Sequence, residues 1–293
     1  MTMRMNIPID PTLPSSSPDA YVEAMVKRAG TSFFWGMRRL EPARRRGVFA
    51  VYAFCRDVDD VADGDLPLDQ KIELLAAWRD ELDRIFDGTA THPISGTIIE
   101  TLKKFDLQRQ DFIDVIDGME MDAHPRVRIK DINELELYCD RVACAVGRLC
   151  VPIFGLKHEE GIELSRALGL ALQLANILRD VTEDAGRDRV YLPADMLADA
   201  GAVGQGIEDV LTAPRLNDVC ASLAKRAGNY FDQARVIAGA ADPNAARPAI
   251  MMMEVYHRVY LRLLRRGWNN LDQDVGLSKF SKIIIAIRYG LFS

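Results

Sequence analysis

Two stretches of this 293-residue chain set short carboxylates four residues apart. Tyr52 to Asp63 reads YAFCRDVDDVAD, and Gln173 to Asp184 reads QLANILRDVTED. At 100° per residue, Tyr52, Arg56, Asp59, Asp60 and Asp63 share an arc of about 100°, while Val51, Phe54, Cys55 and Val58 lie mostly outside it. On the same wheel Gln173, Asn176, Asp180 and Asp184 fall within about 80°, and Leu170, Leu174, Ile177 and Leu178 fill most of the rest. Many acidic stripes simply face water, but such faces favour Glu and Lys, which are better helix formers than Asp and Asn. Carboxylates facing one another across a cavity repel unless cations neutralise them. Hard oxygen ligands suit Mg²⁺, which shares phosphate oxygens with a substrate. Two facing Asp-x-x-x-Asp pairs therefore describe a site of two or three Mg²⁺ ions that grips a diphosphate. The competing EF-hand reading of the first stretch fails: counting from Asp59 puts Val61 at the third position and Gln70 at the twelfth.

The elements that must carry these stripes are helices. Helical periodicity dominates from about residue 19, and only Arg126–Lys130 and Arg189–Leu192 read as briefly extended. Pro42 opens the helix of the first stripe, which runs to Asp63. Breakers at Gly64–Pro67, Gly88–Pro93, His124-Pro125, Gly186–Pro193, Gly201–Pro214 and Asp242-Pro243 cut the chain into roughly eight to ten helices. No long linker interrupts them, so residues 19–293 are expected to form one all-α domain behind a flexible, Pro- and Ser-rich tail over residues 1–18. The tail lacks the apolar run of a signal peptide, and no stretch is apolar for long enough to span a membrane. A net charge of −6 excludes a nucleic acid partner bound through a dominant positive field. Five cysteines, an odd number without a C-x-x-C pair, suit a reducing compartment rather than a disulfide framework.

Three blocks, YAFCRDVDDVAD, YCDRVACAVG and QLANILRDVTEDAGRDRVYLP, together resemble the signatures of the squalene/phytoene synthase family, in order and spacing, from Ser32 to the C-terminal helices. The resemblance implies an isoprenoid-synthase-type helical bundle around a central cavity, and head-to-head condensation of two prenyl diphosphates. It implies metal ligands at Asp59, Asp60, Asp63, Asn176, Asp180 and Asp184. Arg56 would be the basic partner of the first motif, and Gln173 and Arg179 would line the same cavity. Tyr138 would sit near the reacting carbons, with Val142, Ala143, Val146 and Gly147 as the wall of the prenyl channel. Ser32 and Phe33 match the substrate-facing segment before the first motif, and Tyr260 a position near the diphosphate. Arg189, in the Arg187-Asp188-Arg189 turn, is placed to hold that diphosphate or cover the site. Cys144 departs from the family, where Gly is common, and so bears on channel shape.

YCDRVACAVGRL and the run GMEMDA (Gly118–Ala123) are most similar to the bacterial branch that makes presqualene diphosphate in hopanoid pathways. That branch implies farnesyl diphosphate as substrate, Mg²⁺ as cofactor and no NADPH. Phytoene synthesis from geranylgeranyl diphosphate, NADPH-dependent squalene synthesis, and an assembly protein of the same fold are the alternatives; the last would have lost the aspartates. It also implies a cytoplasmic enzyme whose product passes to later-pathway enzymes. The C-terminal SKFSKIIIAIRYGLFS fits either peripheral contact at the inner face of the membrane or a packed final helix. Arg38, Arg39 and Arg44–Arg46 fit a solvated helix start better than a substrate-attracting patch. The four histidines have no metal-ligand spacing, and Met251–Met253 read as core.

Overall fold

The structure, a computed structural model, describes residues 6–30 and 37–275. Among these residues the chain forms twelve α-helices, one π-helical turn and two strands of two residues each. In chain order the first helices are α1 (Pro18–Arg28), α2 (Pro42–Asp63), α3 (Leu68–Phe86), α4 (Pro93–Leu102) and α5 (Arg109–Asp122). Strand β1 (Val127–Arg128) leads to α6 (Ile132–Cys139), the π turn Asp140–Cys144 and α7 (Ala145–Phe154). Then come α8 (His158–Ala185), β2 (Arg189–Val190), α9 (Ala194–Asp199), α10 (Ile207–Leu211), α11 (Leu216–Ala240) and α12 (Pro243–Arg266). The all-α expectation holds. The helices beyond the expected number include α9 and α10, too short for a 3.6-residue period to be legible.

Two apolar centres build the molecule. One surrounds α2 and joins α1, α3, α4 and α5 through Phe54, Trp78 and Phe112, whose rings meet edge to face. The other surrounds α8 and joins α11 and α12 through Leu170, Leu174, Leu223 and Phe231. Val142, in the π turn, packs against both centres. The π turn lies between α5 and α8, so the seam of the molecule runs through the small-residue block. π-Helical turns are rare and are often found at functional sites.

Pro42 stands at the first position of α2, where the missing N–H has no intrahelical partner to lose, and Glu41 accepts from the Ala43 N–H as cap. The 28 residues of α8 make a rod of about 42 Å. The rod approaches the π turn closely at Gly169: a Cβ there would lie 2.7 Å from Cys144 Sγ and 2.8 Å from the Cys144 backbone. Cys144 is thus turned onto α8, with its thiol 3.5 Å from the Arg166 carbonyl oxygen. The strands pair in parallel, Val127 with Arg189 and Arg128 with Val190, in the two stretches read as extended. They tie together the segments that leave the C-terminal ends of α5 and α8.

Ahead of α1, Leu13 is buried, Arg28 donates to the Asp10 carboxylate at 2.6 Å, and the Asp10 N–H donates to Tyr21 Oη at 3.0 Å. No helix among the described residues is long and apolar enough to cross a membrane. Ser32, Phe33 and SKFSKIIIAIRYGLFS lie outside those residues.

Candidate active site

The two acidic stripes are open faces in the C-terminal halves of their helices, set beside buried apolar residues. On α8, Gln173, Asn176, Arg179, Asp180 and Asp184 are partly exposed, while Leu174, Ala175, Ile177 and Leu178 between them are buried. On α2, Asp59 is half-buried and Asp60 and Asp63 are exposed, with Val58 and Ala62 buried behind them. Arg56 pairs with Asp59 at 3.3 Å and with Asp60. Asp57, between these residues in sequence, turns the other way and accepts from Trp78 Nε1 at 2.9 Å.

The stripes meet through the turn that follows α8. Arg189 Nη1 donates to Asp63 at 2.7 Å, and Arg187 Nη1 reaches the other oxygen of the same carboxylate at 3.3 Å. Residues more than 120 positions apart are thereby joined. Arg189 also attracts Asp184 electrostatically, and the same carboxylate is repelled by Asp180 one turn earlier. Burial raises Asp184 to about 7, with the Asp180 charge as the next cause. Burial likewise raises Asp59 to about 6, with Asp63 next. Protons are held more tightly here than carboxylates hold them in water, as expected of anions crowded away from solvent.

Asp122, at the end of α5, is the centre the sequence reading missed. It is buried, and its two oxygens accept from Tyr138 Oη at 2.9 Å and Tyr191 Oη at 2.7 Å. The two tyrosine rings stack with centroids 4.8 Å apart. The Asp122 backbone carbonyl accepts from Arg189 Nη2 at 3.0 Å. Its charge bears on Asp59 of the first motif and on Asp184 of the second. Burial raises Asp122 as well, against the pull of the two hydroxyls and Arg189. Tyr138 is pushed well above the ordinary phenol range, by burial first and by the Asp122 charge second. A signal for Asp122 was present: it follows Phe112, Val115 and Met119 on the buried side of its helix, where a carboxylate needs a reason.

Val142, Ala143, Val146 and Gly147 are partly exposed, whereas Cys144 and Ala145 among them are buried. The departure at Cys144 is therefore taken up by α8 through Gly169. Tyr260 packs on Phe231 of α11 and His257 of α12, and its hydroxyl lies over Gly228. The basic cluster at the start of α2 is engaged locally, Arg44 with the Phe154 carbonyl at 3.0 Å and Arg46 with Asp19 at 2.8 Å.

The donors present fit Mg²⁺. Among the described residues no three acidic, His or Cys side chains converge as a ready-made cage. The first motif instead offers three separate carboxylates and the second two, from which Mg²⁺ usually takes one or two when phosphate and water complete its shell. Asn176 Oδ1 is buried without a hydrogen-bond partner, an acceptor suited to a cation or a water on one. Asp180 is held by Arg179 through Nε at 2.7 Å, and Asn176 Nδ2 contacts Gln173 at 3.4 Å.

This chain belongs to the squalene/phytoene synthase family, whose model matches residues 26–281. It is 42% identical to a presqualene diphosphate synthase of Rhodopseudomonas palustris and 40% identical to one of Sinorhizobium fredii, each over 262 residues, 89% of this chain and 94% of that protein. A chloroplastic phytoene synthase of an Oncidium hybrid is more distant, 32% identical over 88% of this chain and 64% of its own length. Among solved structures, a squalene synthase of Alicyclobacillus acidocaldarius superposes with a TM-score of 0.75 at 28% identity, over 85% of this chain and 94% of that one. A dehydrosqualene synthase shares the fold with a TM-score of 0.78 at 24% identity, over 93% of this chain and 95% of that one.

Proposed function

We propose that this protein is a prenyltransferase that condenses two molecules of farnesyl diphosphate head to head into presqualene diphosphate. The observation that carries the reading is the contact of Arg189, five residues past the second motif, with Asp63 of the first, in a chain 40–42% identical to presqualene diphosphate synthases over 89% of its length. Asp59, Asp60 and Asp63 on α2, with Asn176, Asp180 and Asp184 on α8, would hold Mg²⁺. Bound there, Mg²⁺ supplies Lewis-acid withdrawal of electron density from the diphosphate leaving group.

Arg56, Arg179 and Arg189 bind diphosphate oxygens and exchange their present carboxylate partners for them as the substrate enters. One farnesyl diphosphate loses its diphosphate at C1, and the C2–C3 double bond of the other captures the allylic cation. Proton loss then closes the cyclopropane, giving presqualene diphosphate, diphosphate and one proton. Val142, Ala143, Val146 and Gly147 line the channel and keep water from the cation. Tyr138 remains a neutral hydroxyl oriented by Asp122, which suits it to placing the reacting carbons. The departing diphosphate is then the better proton acceptor.

Purified protein with farnesyl diphosphate and Mg²⁺ alone is expected to accumulate presqualene diphosphate, read by mass spectrometry. Squalene as the main product with NADPH, or a C40 product formed from geranylgeranyl diphosphate at higher kcat/KM, would overturn this reading. Contact of the C-terminal SKFSKIIIAIRYGLFS segment with a membrane surface belongs to the same proposal and is read by sedimentation with anionic vesicles.

A further inference from the structure

The turn that delivers Arg187 and Arg189 has an unusual construction. Asp188, between them, is the one non-glycine residue with positive φ (57°) among the described residues. L-residues rarely take this left-handed conformation, and Asp is among the few that tolerate it. It lets the side chains on either side reach one carboxylate, that of Asp63.

The turn is held from β1. Arg128 Nη1 donates to the Asp188 carbonyl at 2.6 Å and to the Val127 carbonyl at 2.8 Å, and Nη2 pairs with the Asp188 carboxylate. Arg128 Nε donates to the Gln205 carbonyl at 2.9 Å, and the Val127 N–H adds a second bond to the Asp188 carbonyl at 3.1 Å. Every nitrogen of this guanidinium is engaged inside the protein, and the side chain is only 13% exposed. Arg128 is therefore committed to holding this turn. Its bidentate grip on the backbone and side chain of one residue fixes position as well as charge.

We propose that Arg128 and Asp188 form a positioning clamp that aims Arg187 and Arg189 at the Asp63 end of the site, and so sets how tightly the site takes up the diphosphate. The proposal rests on the reading of this site as a diphosphate site. Arg128 and Asp188 touch neither substrate nor metal in it; they act through Arg189. The Asp188 carboxylate, though close in sequence to the second motif, is occupied by Arg128 and contributes no metal ligand.

The test is a double-mutant cycle in the full-length protein. Arg128→Gln cannot span the acceptors of the guanidinium, and Asp188→Asn keeps tolerance of the left-handed turn while losing the charge. Each is expected to raise KM for farnesyl diphosphate on the order of tenfold, the scale of a displaced binding group, with kcat changed far less. In an Arg187→Ala/Arg189→Ala background, Arg128→Gln should add less than about a twofold change, because both groups it positions are gone. Independent, multiplicative effects would reduce the clamp to a structural brace, as would an unchanged KM in both single variants. The same cycle is read as the Kd of inorganic pyrophosphate with Mg²⁺, by calorimetry. Non-additive Kd changes support the clamp even if the condensation product is not presqualene diphosphate. Failure of the wild type to bind pyrophosphate overturns it together with the diphosphate reading.

Discussion

Asp184→Asn should stabilise the metal-free protein while destroying its activity. Asp184 holds its proton up to about pH 7 in the folded chain, through burial and the neighbouring Asp180 charge, whereas an ordinary aspartate releases it near ~3.9. Between those values the folded state binds a proton that the unfolded state has lost. Stability therefore falls as pH rises through this window and levels off above it. A gap of about three pH units at ~1.4 kcal/mol each sets a ceiling of about 4 kcal/mol. Partial exposure and screening bring the expected gain to ~1–2 kcal/mol. For a chain of this size that is a rise of ~3–6 °C in Tm. Thermal unfolding in chelator should show the variant above wild type by this amount at pH 8, with the difference shrinking towards pH 5. With Mg²⁺ and pyrophosphate the order should reverse, because only the wild type gains full binding free energy. Coincident melting at pH 8, or a larger gain at pH 5, would refute the electrostatic account.

Asp63→Ala and Asp180→Ala are each expected to lower kcat at saturating Mg²⁺ by at least ~100-fold. Stability should change by no more than about 1 kcal/mol, since relief of carboxylate repulsion offsets a lost pair with Arg189 or Arg179; steady-state kinetics and denaturant titration read the two effects, and near-normal turnover would make the motif ornamental. Gly169→Ala places a methyl 2.7 Å from Cys144 Sγ and 2.8 Å from its backbone, which should cost ~1–3 kcal/mol and displace the π turn. Cys144→Gly added to it should restore only part of the stability, because the backbone clash remains. Altered product length in competition between farnesyl and geranylgeranyl diphosphate would report the moved channel wall.

The helices of the site were legible because their signals are local. Pro42 opens α2, Gly64 follows its last residue, and the apolar period between them makes the acidic stripe stand out. The same period runs through α8 to Ala185. The short paired strands were legible from Arg189–Leu192 and Arg126–Lys130. What escaped was non-local. A π turn keeps the composition of an α-helix, so nothing in Asp140–Cys144 announces it. Asp122 takes its meaning from Tyr138 and Tyr191, residues 16 and 69 positions away. Arg128 and Asp188 are ordinary charged residues until the chain brings them together across 60 positions. Tyr260 was placed by resemblance alone, and its ring partners belong to α11 and α12.

Helix α8 has the character of a ruler. Gly169, where the π turn rests, and Asp180, in the second motif, are eleven residues apart on one uninterrupted rod, about 16 Å at 1.5 Å per residue. On the proposed reading, the anionic end of the substrate and the gauge of its hydrocarbon tail are graduations on a single rigid object, and neither can shift along it without the other. A lineage that changes the length of its product is left with the calibre of side chains along the rod and its facing turn. The metal end can keep its spacing unchanged while the other end is re-cut for a longer or shorter tail.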